Sequence, residues 1–373
     1  MSIKLKVART EKELDDVFRL RYDVYVRERD KFSEKRATSD GRIVDHFDAL
    51  PGVAIVVAYD GEVAIASFRV NRDSAVGLAP EKYFDFTQTR GLIEQSAAGG
   101  VATPCIVSGS MLAIHRQWRH KRNVIFALFK KTTAVMRGMG ATHVFGAASA
   151  ETFSLYGRLG FDATAEERWV ESVGDKLIPM MAPFGKVFNW AFGQSVPAQQ
   201  NFCSAAPCTD FETLLLSPGE VLFHQNDAAE YAYSIEKGGI SLSRKGFGQE
   251  DLVMSQLGRG VVFGGIVDDE LRSTTATAMM NTQVIAIKNS YIRQRSGKDL
   301  AQIAQLQGLE KNRKGLVPAG DLTLLDSQLT RRTSKPPEVF EWSGVGAELD
   351  YSGDMTRFFR AASSEGLASM RAS

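Results

Sequence analysis

Between residues 194 and 208 the periodicity of the sequence changes, and that change limits the fold more than any other feature. Before it, helix-period and strand-period stretches alternate, which calls for an α/β architecture. After it, only short strand-like runs follow, at Val221–Phe223, Tyr231–Ile235, Ile240–Arg244, Val253–Leu257 and Gln283–Ile287. Turn clusters such as Lys237-Gly238-Gly239 separate them, and this spacing favours a sandwich or barrel. The stretch QSVPAQQNFCSAAPC itself has no period and reads as a linker. A chain of 373 residues also exceeds one ordinary core. The expected organisation is an α/β domain over 1–193, a linker over 194–208, a β-rich domain over 209–312, and a weakly ordered tail over 313–373. Residues 290–312 are expected to be helical, and within the tail only Met355–Ala362 has a helical pattern.

In the first part, Thr10-Glu-Lys-Glu13 is a capping-box pattern, and Leu14, Val17 and Phe18 follow at helical spacing. Val53–Tyr59, Asp60-Gly61 and Val63–Val70 spell strand, tight turn and strand. Residues 106–114 are predicted as a strand, Asn123–Met139 as an amphipathic helix ended by Gly140, Thr142–Ala148 as a strand and Glu151–Leu159 as a short helix stopped by Gly160. Parallel pairing is expected at the centre. One residue breaks the pattern: Arg21 lies on the apolar stripe of the first helix, with Tyr25 one turn on. A guanidinium there needs a partner. Asp45 and Asp48 in VDHFD are available, and Arg69 lies on the second hairpin strand. The residues leave open whether this is a structural ion pair or a substrate site.

Charge narrows the function classes. Lys+Arg 45 against Asp+Glu 44 gives net +1, so no polyanion-attracting field is implied and nucleic acid is not an expected partner. The opening segment turns acidic before any apolar run forms, unlike a signal peptide, and no run of about 18 apolar residues exists to span a bilayer. Cys105, Cys203 and Cys208 lack metal-ligand spacing. A cytoplasmic location, reduced thiols and no metal are expected.

LRYDVYVRE, VDHFDAL and IASFRV together resemble the opening of the acyl-homoserine-lactone (autoinducer) synthases and the related long-chain N-acyl amino acid synthases, both of the GCN5-related N-acyltransferase superfamily. The resemblance implies that Arg21, Tyr25 and Arg69, with Ser108 and Ser110, bind the acceptor amine. It implies that Asp45 or Asp48 takes the amine proton through water. Ser110-Met-Leu-Ala-Ile114 and Arg119-His-Lys-Arg-Asn-Val124 resemble the superfamily's donor-binding strand and phosphate loop. Leu112, Ala113, Ile114, Arg119, Arg122 and Asn123 would then hold the acyl donor, with amides of 112–114 stabilising the oxyanion. The loop lacks the glycines of the superfamily's R-x-x-G-x-G/A form, which favours acyl carrier protein over coenzyme A as carrier. Its basic cluster suits an acidic carrier protein. Glu151-Thr-Phe-Ser-Leu-Tyr-Gly-Arg-Leu-Gly-Phe161 resembles the closing motif, placing Tyr156 where it protonates the departing thiolate. One departure stands out: Ser108-Gly-Ser110-Met111 replaces the E-x-S-R pattern of autoinducer synthases, so the acceptor is expected to differ from theirs.

Gly219-Glu-Val-Leu-Phe-His-Gln-Asn-Asp227, Tyr231–Gly238, Leu257–Gly260 and Arg272–Ala278 resemble the cyclic-nucleotide-binding domain, in the right order. The resemblance implies an all-β jelly-roll-like domain with flanking helices, cyclic AMP or cyclic GMP as effector, and a site at Gly264, Gly265, Arg272 and Ser273. Gly265 stands where that family carries a ribose-binding Glu. A homodimer through this domain is a further implication. The leading expectation is an N-acyltransferase that moves a long acyl group onto an amino-acid-like amine under the control of the second domain. A catalytically inactive sensor and a cyclic-nucleotide-controlled protein lysine acetyltransferase are the alternatives.

Overall fold

The computed structural model describes residues 2–32, 38–97, 103–195, 210–245, 251–264 and 271–293. The tail, nearly all of the linker, Gly265, and the expected helix beyond Arg293 lie outside the described residues. The chain begins with β1 (Ile3–Val7) and α1 (Glu11–Tyr22), which continues as one π-helical turn, Asp23–Arg27. Next come β2 (Val53–Asp60), β3 (Val63–Arg72), α2 (Thr87–Ala97), β4 (Ile106–Ile114) and α3 (Arg122–Gly138). The α/β part closes with β5 (His143–Ser149), α4 (Phe153–Arg158), β6 (Asp162–Ala163), β7 (Arg168–Val170), β8 (Asp175–Pro183) and α5 (Phe184–Phe192). The second part holds β9 (Glu212–Leu216), β10 (Val221–Phe223), β11 (Tyr231–Lys237), β12 (Ile240–Lys245) and β13 (Asp251–Leu257). It ends with β14 (Val262–Phe263), β15 (Thr275–Ala278), β16 (Thr282–Lys288) and a helical turn, Asn289–Arg293.

Local chemistry explains the ends of these elements. Thr10 Oγ1 accepts from Glu13 N at 3.3 Å while Glu13 Oε2 accepts from Thr10 N at 3.1 Å, so the capping box closes the start of α1. Gly61, at φ +59°, turns β2 into β3. The core of the first part lies between the sheet and α3, where Val56, Phe68 and Val107 meet Val124, Leu128 and Val135. β4 and β5 are the parallel pair at the centre.

The two parts share one sheet. Among the described residues it runs β14-β11-β16-β9-β1-β2-β3-β4-β5-β8-β6, with β7 on β8. A second sheet, β10-β15-β12-β13, packs with it in the second part. The junction is β9, antiparallel to β1 on one edge and to β16 on the other. Because side chains alternate along a strand, Leu215 enters the α/β core while Leu214 and Leu216 join the core of Tyr233, Ile235 and Phe263. Neither β1 nor β9 is among the sequence-predicted strands. The linker expected over 194–208 lies almost wholly outside the described residues, and β9, which follows it, joins the two parts by a hydrogen-bonded ladder.

Candidate active site

Two irregularities open a cleft in the sheet. β4 and β5 pair at Ile106↔His143, Val107↔Val144 and Ser108↔Phe145, and then their pairing stops. β4 also carries one extra residue against β3, since Ser67 faces Ala113 whereas Arg69 faces Ser110, with Met111 at φ +53°. Such a bulge bends the strand and re-aims its groups. The gap becomes a cavity of about 190 Å³ lined by residues of β4, including Gly109, Ser110, Met111, Leu112 and Ile114. Ala147, Ala148, Ser149, Thr152 and Tyr156 line the opposite side.

The amides of β4 can be assigned to its two edges. His115 N donates to Ile65 O, so by strand alternation Ala113 also faces β3. Leu112 and Ile114 face the cleft, where their carbonyls accept from the Tyr25 hydroxyl at 2.8 Å and from Arg119 Nε at 2.9 Å. Ala113 is fully buried and does not line the cavity.

Below the cleft lies a buried charge network. Arg21 Nη1 donates to both Asp48 oxygens at 2.9 Å, and Arg69 Nη1 reaches Asp48 Oδ1 at 2.9 Å. Arg69 also donates through Nη1 and Nη2 to Asp45 at 2.5 and 3.2 Å, and through Nε to Ser110 Oγ at 3.0 Å. Asp48 Oδ2 and Asp45 Oδ1 further accept from the Asp45 and Phe47 amides. The Arg21 guanidinium is pulled down by desolvation, which outweighs its attraction to Asp48. Burial would raise the Asp45 carboxyl, but Arg69 overcomes it and holds Asp45 below the usual carboxylate range. Arg69 is raised, its burial more than offset by Asp45 and Asp48.

Of the sequence-predicted residues, the structure brings Tyr25, Asp45, Arg69, Ser110, Leu112, Ile114, Arg119 and Tyr156 to the cavity. Arg21, Asp48, Ser108, Ala113, Arg122 and Asn123 do not line it. Arg21 and Asp48 sit one layer deeper, behind Arg69. Arg119 was expected at a donor phosphate, yet its guanidinium is folded inward onto Glu28. The basic residues Arg116, His120, Lys121 and Arg122 remain exposed on that loop, as does Asn123. Tyr156 is buried against Phe129 and Phe161, with ring centroids at 5.9 and 5.7 Å, and its hydroxyl has no hydrogen-bond partner among the described residues. Burial, and secondarily Tyr25, push its pKa up; burial raises Tyr25 to about 12.

Three of the cavity residues that the sequence reading missed belong together. Lys31, Ser149 and Asp175 form one cluster: Lys31 Nζ donates to Ser149 Oγ at 3.2 Å and to Asp175, and the Ser149 hydroxyl donates to Asp175. They come from three separate elements, so no local motif announces them.

In the second part Arg272 is buried rather than presented to solvent. Its Nη2 donates to Tyr231 O at 2.6 Å, Nη1 donates to Gly264 O, and the guanidinium lies 4.2 Å from the Phe223 ring centroid. Gly264, at φ +98°, packs so tightly that a Cβ would come within 2.7 Å of Tyr233. Ser273 is exposed beside it. A cyclic phosphate at this position has to compete with two carbonyls for Arg272.

Comparison with known proteins gives two matches along the chain. Residues 16–183 match the family N-acyl amino acid synthase FeeM, and residues 214–297 match the cyclic nucleotide-binding domain. The cyclic AMP receptor protein of Thermus thermophilus is 29% identical over 79 residues, 21% of this chain and 37% of that protein. The chain thus spans little more than a third of that curated relative. Among solved structures, FeeM, an N-acyl amino acid synthase from uncultured soil microbes, matches at 14% identity over 50% of this chain and 93% of that one, with a TM-score of 0.41. Thermus thermophilus catabolite activator protein matches at 23% identity over 38% of this chain and 61% of that one, with a TM-score of 0.26. The cleft between β4 and β5 therefore lies within the residues that match the N-acyl amino acid synthase FeeM family, and the residues that match the cyclic nucleotide-binding domain follow them in the same chain.

Proposed function

We propose that this chain transfers a long acyl group from a carrier-bound thioester to the amine of an amino-acid-like acceptor, and that its second domain adjusts the rate. The observation that carries the reading is the cleft where β4 and β5 part, with Tyr156 facing into it. A pantetheine arm lying in the gap hydrogen-bonds the free edge of β4. The thioester carbonyl then meets the amides of Leu112 and Ile114, fixed donors for the charge of the tetrahedral intermediate. The neutral amine attacks, the C–S bond breaks, the thiolate takes the Tyr156 proton, and the Tyr156 phenolate regains a proton through water from the nitrogen that has become the amide. A tyrosine raised by burial stays protonated at neutral pH, which suits it to give that proton. Asp45 and Asp48, saturated by arginines and amides, serve to hold Arg69 and Ser110 in place beneath the cleft rather than to take the amine proton. The exposed Arg116, Lys121 and Arg122 on the loop after β4 favour an acidic carrier protein as donor. In a reconstitution of the full chain with palmitoyl-carrier protein, palmitoyl-coenzyme A and a panel of amino acids, an amide-linked product and free thiol are expected. Absence of product with every donor and acceptor refutes the reading.

The acyl tail has a direction to follow. Beneath β4 and β5 lies a second, smaller cavity lined by Phe129, Met136, Val144, Leu159, Phe161 and Val187, and it shares Phe68, Gly109, Tyr156 and Met180 with the first. Gly109 lines both cavities, and the Phe68 ring packs against it so closely that an added Cβ would come within 2.9 Å of the ring. Gly109→Val is expected to lower kcat/KM for palmitoyl donors by roughly tenfold or more, with a smaller effect on butyryl donors. Equal losses for both chain lengths would exclude this route.

For regulation, the support is the junction. Lys131 of α3 is buried, donates to Phe211 O and lies 3.4 Å from the Phe211 ring centroid, directly before β9. Arg9 pairs with Asp210, which also accepts from the Tyr291 hydroxyl, and Lys4 pairs with Glu212 at 2.7 Å. The first turn of α3 borders the cleft-mouth loop, so a shift of β9 on ligand binding moves a helix that reaches the donor site. In the Lys131→Met variant, calorimetry is expected to show undiminished binding of cyclic AMP or cyclic GMP while the nucleotide's effect on turnover disappears. The unaltered protein releasing no heat with either nucleotide would reject the regulatory role.

A further inference from the structure

Three positions of β4 that line the cavity, Ser110, Leu112 and Ile114, are each held from the first helical segment. Ser110 Oγ accepts from Arg69, which shares Asp48 with Arg21. Leu112 O accepts from the Tyr25 hydroxyl at 2.8 Å. Ile114 O accepts from Arg119 Nε at 2.9 Å, and Arg119 Nη2 donates in turn to Glu28 Oε2. Arg21, Tyr25 and Glu28 recur at the i, i+4 and i+7 spacing of one helical face.

Glu28 itself does not line the cavity. It closes the π-helical turn, where its amide donates to Asp23 O at 3.0 Å. Its carboxylate is divided between the two ends of the turn that follows β4. Oε2 takes Arg119, while Oε1 accepts from the Arg116 amide at 3.3 Å and lies 3.8 Å from His115 Nε2. Arg119 is only 5% exposed, so its guanidinium stays where it lies by virtue of that carboxylate.

This arrangement fixes the direction of one N–H. The Ala113–Ile114 peptide turns the Ile114 N–H into the cleft, and the peptides on either side of it are both pinned. On one side Tyr25 holds the Leu112 carbonyl. On the other, Arg119 holds the Ile114 carbonyl while the His115 N–H of the same peptide donates to Ile65 O at 2.9 Å. A bond from an ionised donor is the stronger kind of anchor. A donor fixed in this way needs no reorganisation when charge develops on the thioester oxygen.

We infer that Glu28 is a positioning residue for the transfer: acting through Arg119, it aims the Ile114 amide at the oxygen of the tetrahedral intermediate. The inference rests on the acyltransferase reading above and adds to it a residue that lies outside the cavity.

The test is the single-turnover rate of thiol release from palmitoyl-carrier protein by the full chain, with the amino acid it acylates fastest, beside the steady-state donor KM. Losing an oxyanion donor outright costs about a hundred- to a thousandfold. Misaiming it in Glu28→Ala is expected to slow release roughly ten- to a hundredfold, with the donor KM within about threefold of the unaltered value. Arg119→Met is expected to lose as much, and the double variant no more than Arg119→Met alone, since both changes cut the same link. Should Glu28→Ala fail to fold, Glu28→Gln takes its place, with a loss of about three- to tenfold because its amide oxygen still accepts from Arg119. Losses that multiply in the double variant would show that Glu28 does not act through Arg119, and would overturn the inference. Release within about threefold of the unaltered rate in both the Glu28 and Arg119 variants, or a loss confined to the donor KM, would also overturn it while leaving the acyltransferase function intact. No thiol release from the unaltered chain with any acceptor overturns both.

Discussion

Tyr156→Phe is expected to fold as the unaltered protein does and to lose roughly a hundred- to ten-thousandfold in kcat, the range for removal of one general acid. The packing argument predicts no stability change, because the ring keeps its edge-on contacts with Phe129 and Phe161 and the hydroxyl has no partner among the described residues to abandon. The loss therefore falls on proton delivery alone. Its pH dependence follows from the sign of the shift. Burial raises the pKa of Tyr156, so the proton it must give remains in place through neutral and mildly alkaline pH. The tyrosine limb of the kcat profile is expected above pH ~10, the ordinary tyrosine value. A Tyr156→Phe enzyme with unaltered kcat would show that the thiolate leaves without this proton. Stopped-flow thiol release and a melting curve, measured on the same preparation, separate the two effects.

The second large effect is on stability. Arg69 is buried, and its guanidinium touches Asp45, Asp48 and Ser110 at once. Arg69→Met fills the space but leaves a carboxylate layer with only Arg21 to neutralise it. Removing one member of a buried ion network costs about 3–5 kcal/mol, and in a cooperative unit of roughly 150–250 residues, as the α/β part is, that lowers Tm by roughly 6–20 °C. The pH dependence has a definite sign here too. Asp45 titrates below its ordinary value in the folded protein, so its contribution is complete above the ordinary aspartate pKa and fades as the pH falls through the lowered one. The gap in stability between the unaltered protein and Arg69→Met is therefore expected to narrow on acidification, as urea unfolding at neutral and at low pH will show. A gap of less than about 1 kcal/mol at neutral pH would mean that the network is a surface-like contact.

Local pattern was enough wherever one segment decides its own structure. The capping box at Thr10, the Asp60-Gly61 turn and the strand at 106–114 all needed only their neighbours. Arg21 on an apolar face announced a buried pair, and the acidic residues of VDHFD supplied it. What long-range pairing decides was not legible. Ile3, Leu5 and Val7 do alternate with lysines, yet nothing in five residues says that the other edge of the strand belongs to Glu212–Leu216. The extra residue in β4 is a matter of register with β3, and register leaves no mark in composition. Arg119 was expected at the acyl donor because its loop resembles a phosphate loop, but Glu28 lies at the far end of the first helical segment and takes it in. Lys31, Ser149 and Asp175 were missed for the same reason: each is unremarkable in its own segment, and only the fold makes them neighbours. The resemblance offered Arg272 as a residue of the nucleotide site, and its own segment does not show that its aromatic and carbonyl partners come from β10, β11 and the segment after β14.

The central claim is that the cleft between β4 and β5 makes amide-linked lipids with Tyr156 as its acid. Mass spectrometry of lipid extracts from cells expressing the full chain, beside cells expressing Tyr156→Phe at equal abundance, tests it most directly. The expected result is a set of new N-acyl amino acids with the unaltered chain and their near disappearance with the variant. No new lipid from the unaltered chain, with cyclic nucleotide supplied or withheld, would contradict it.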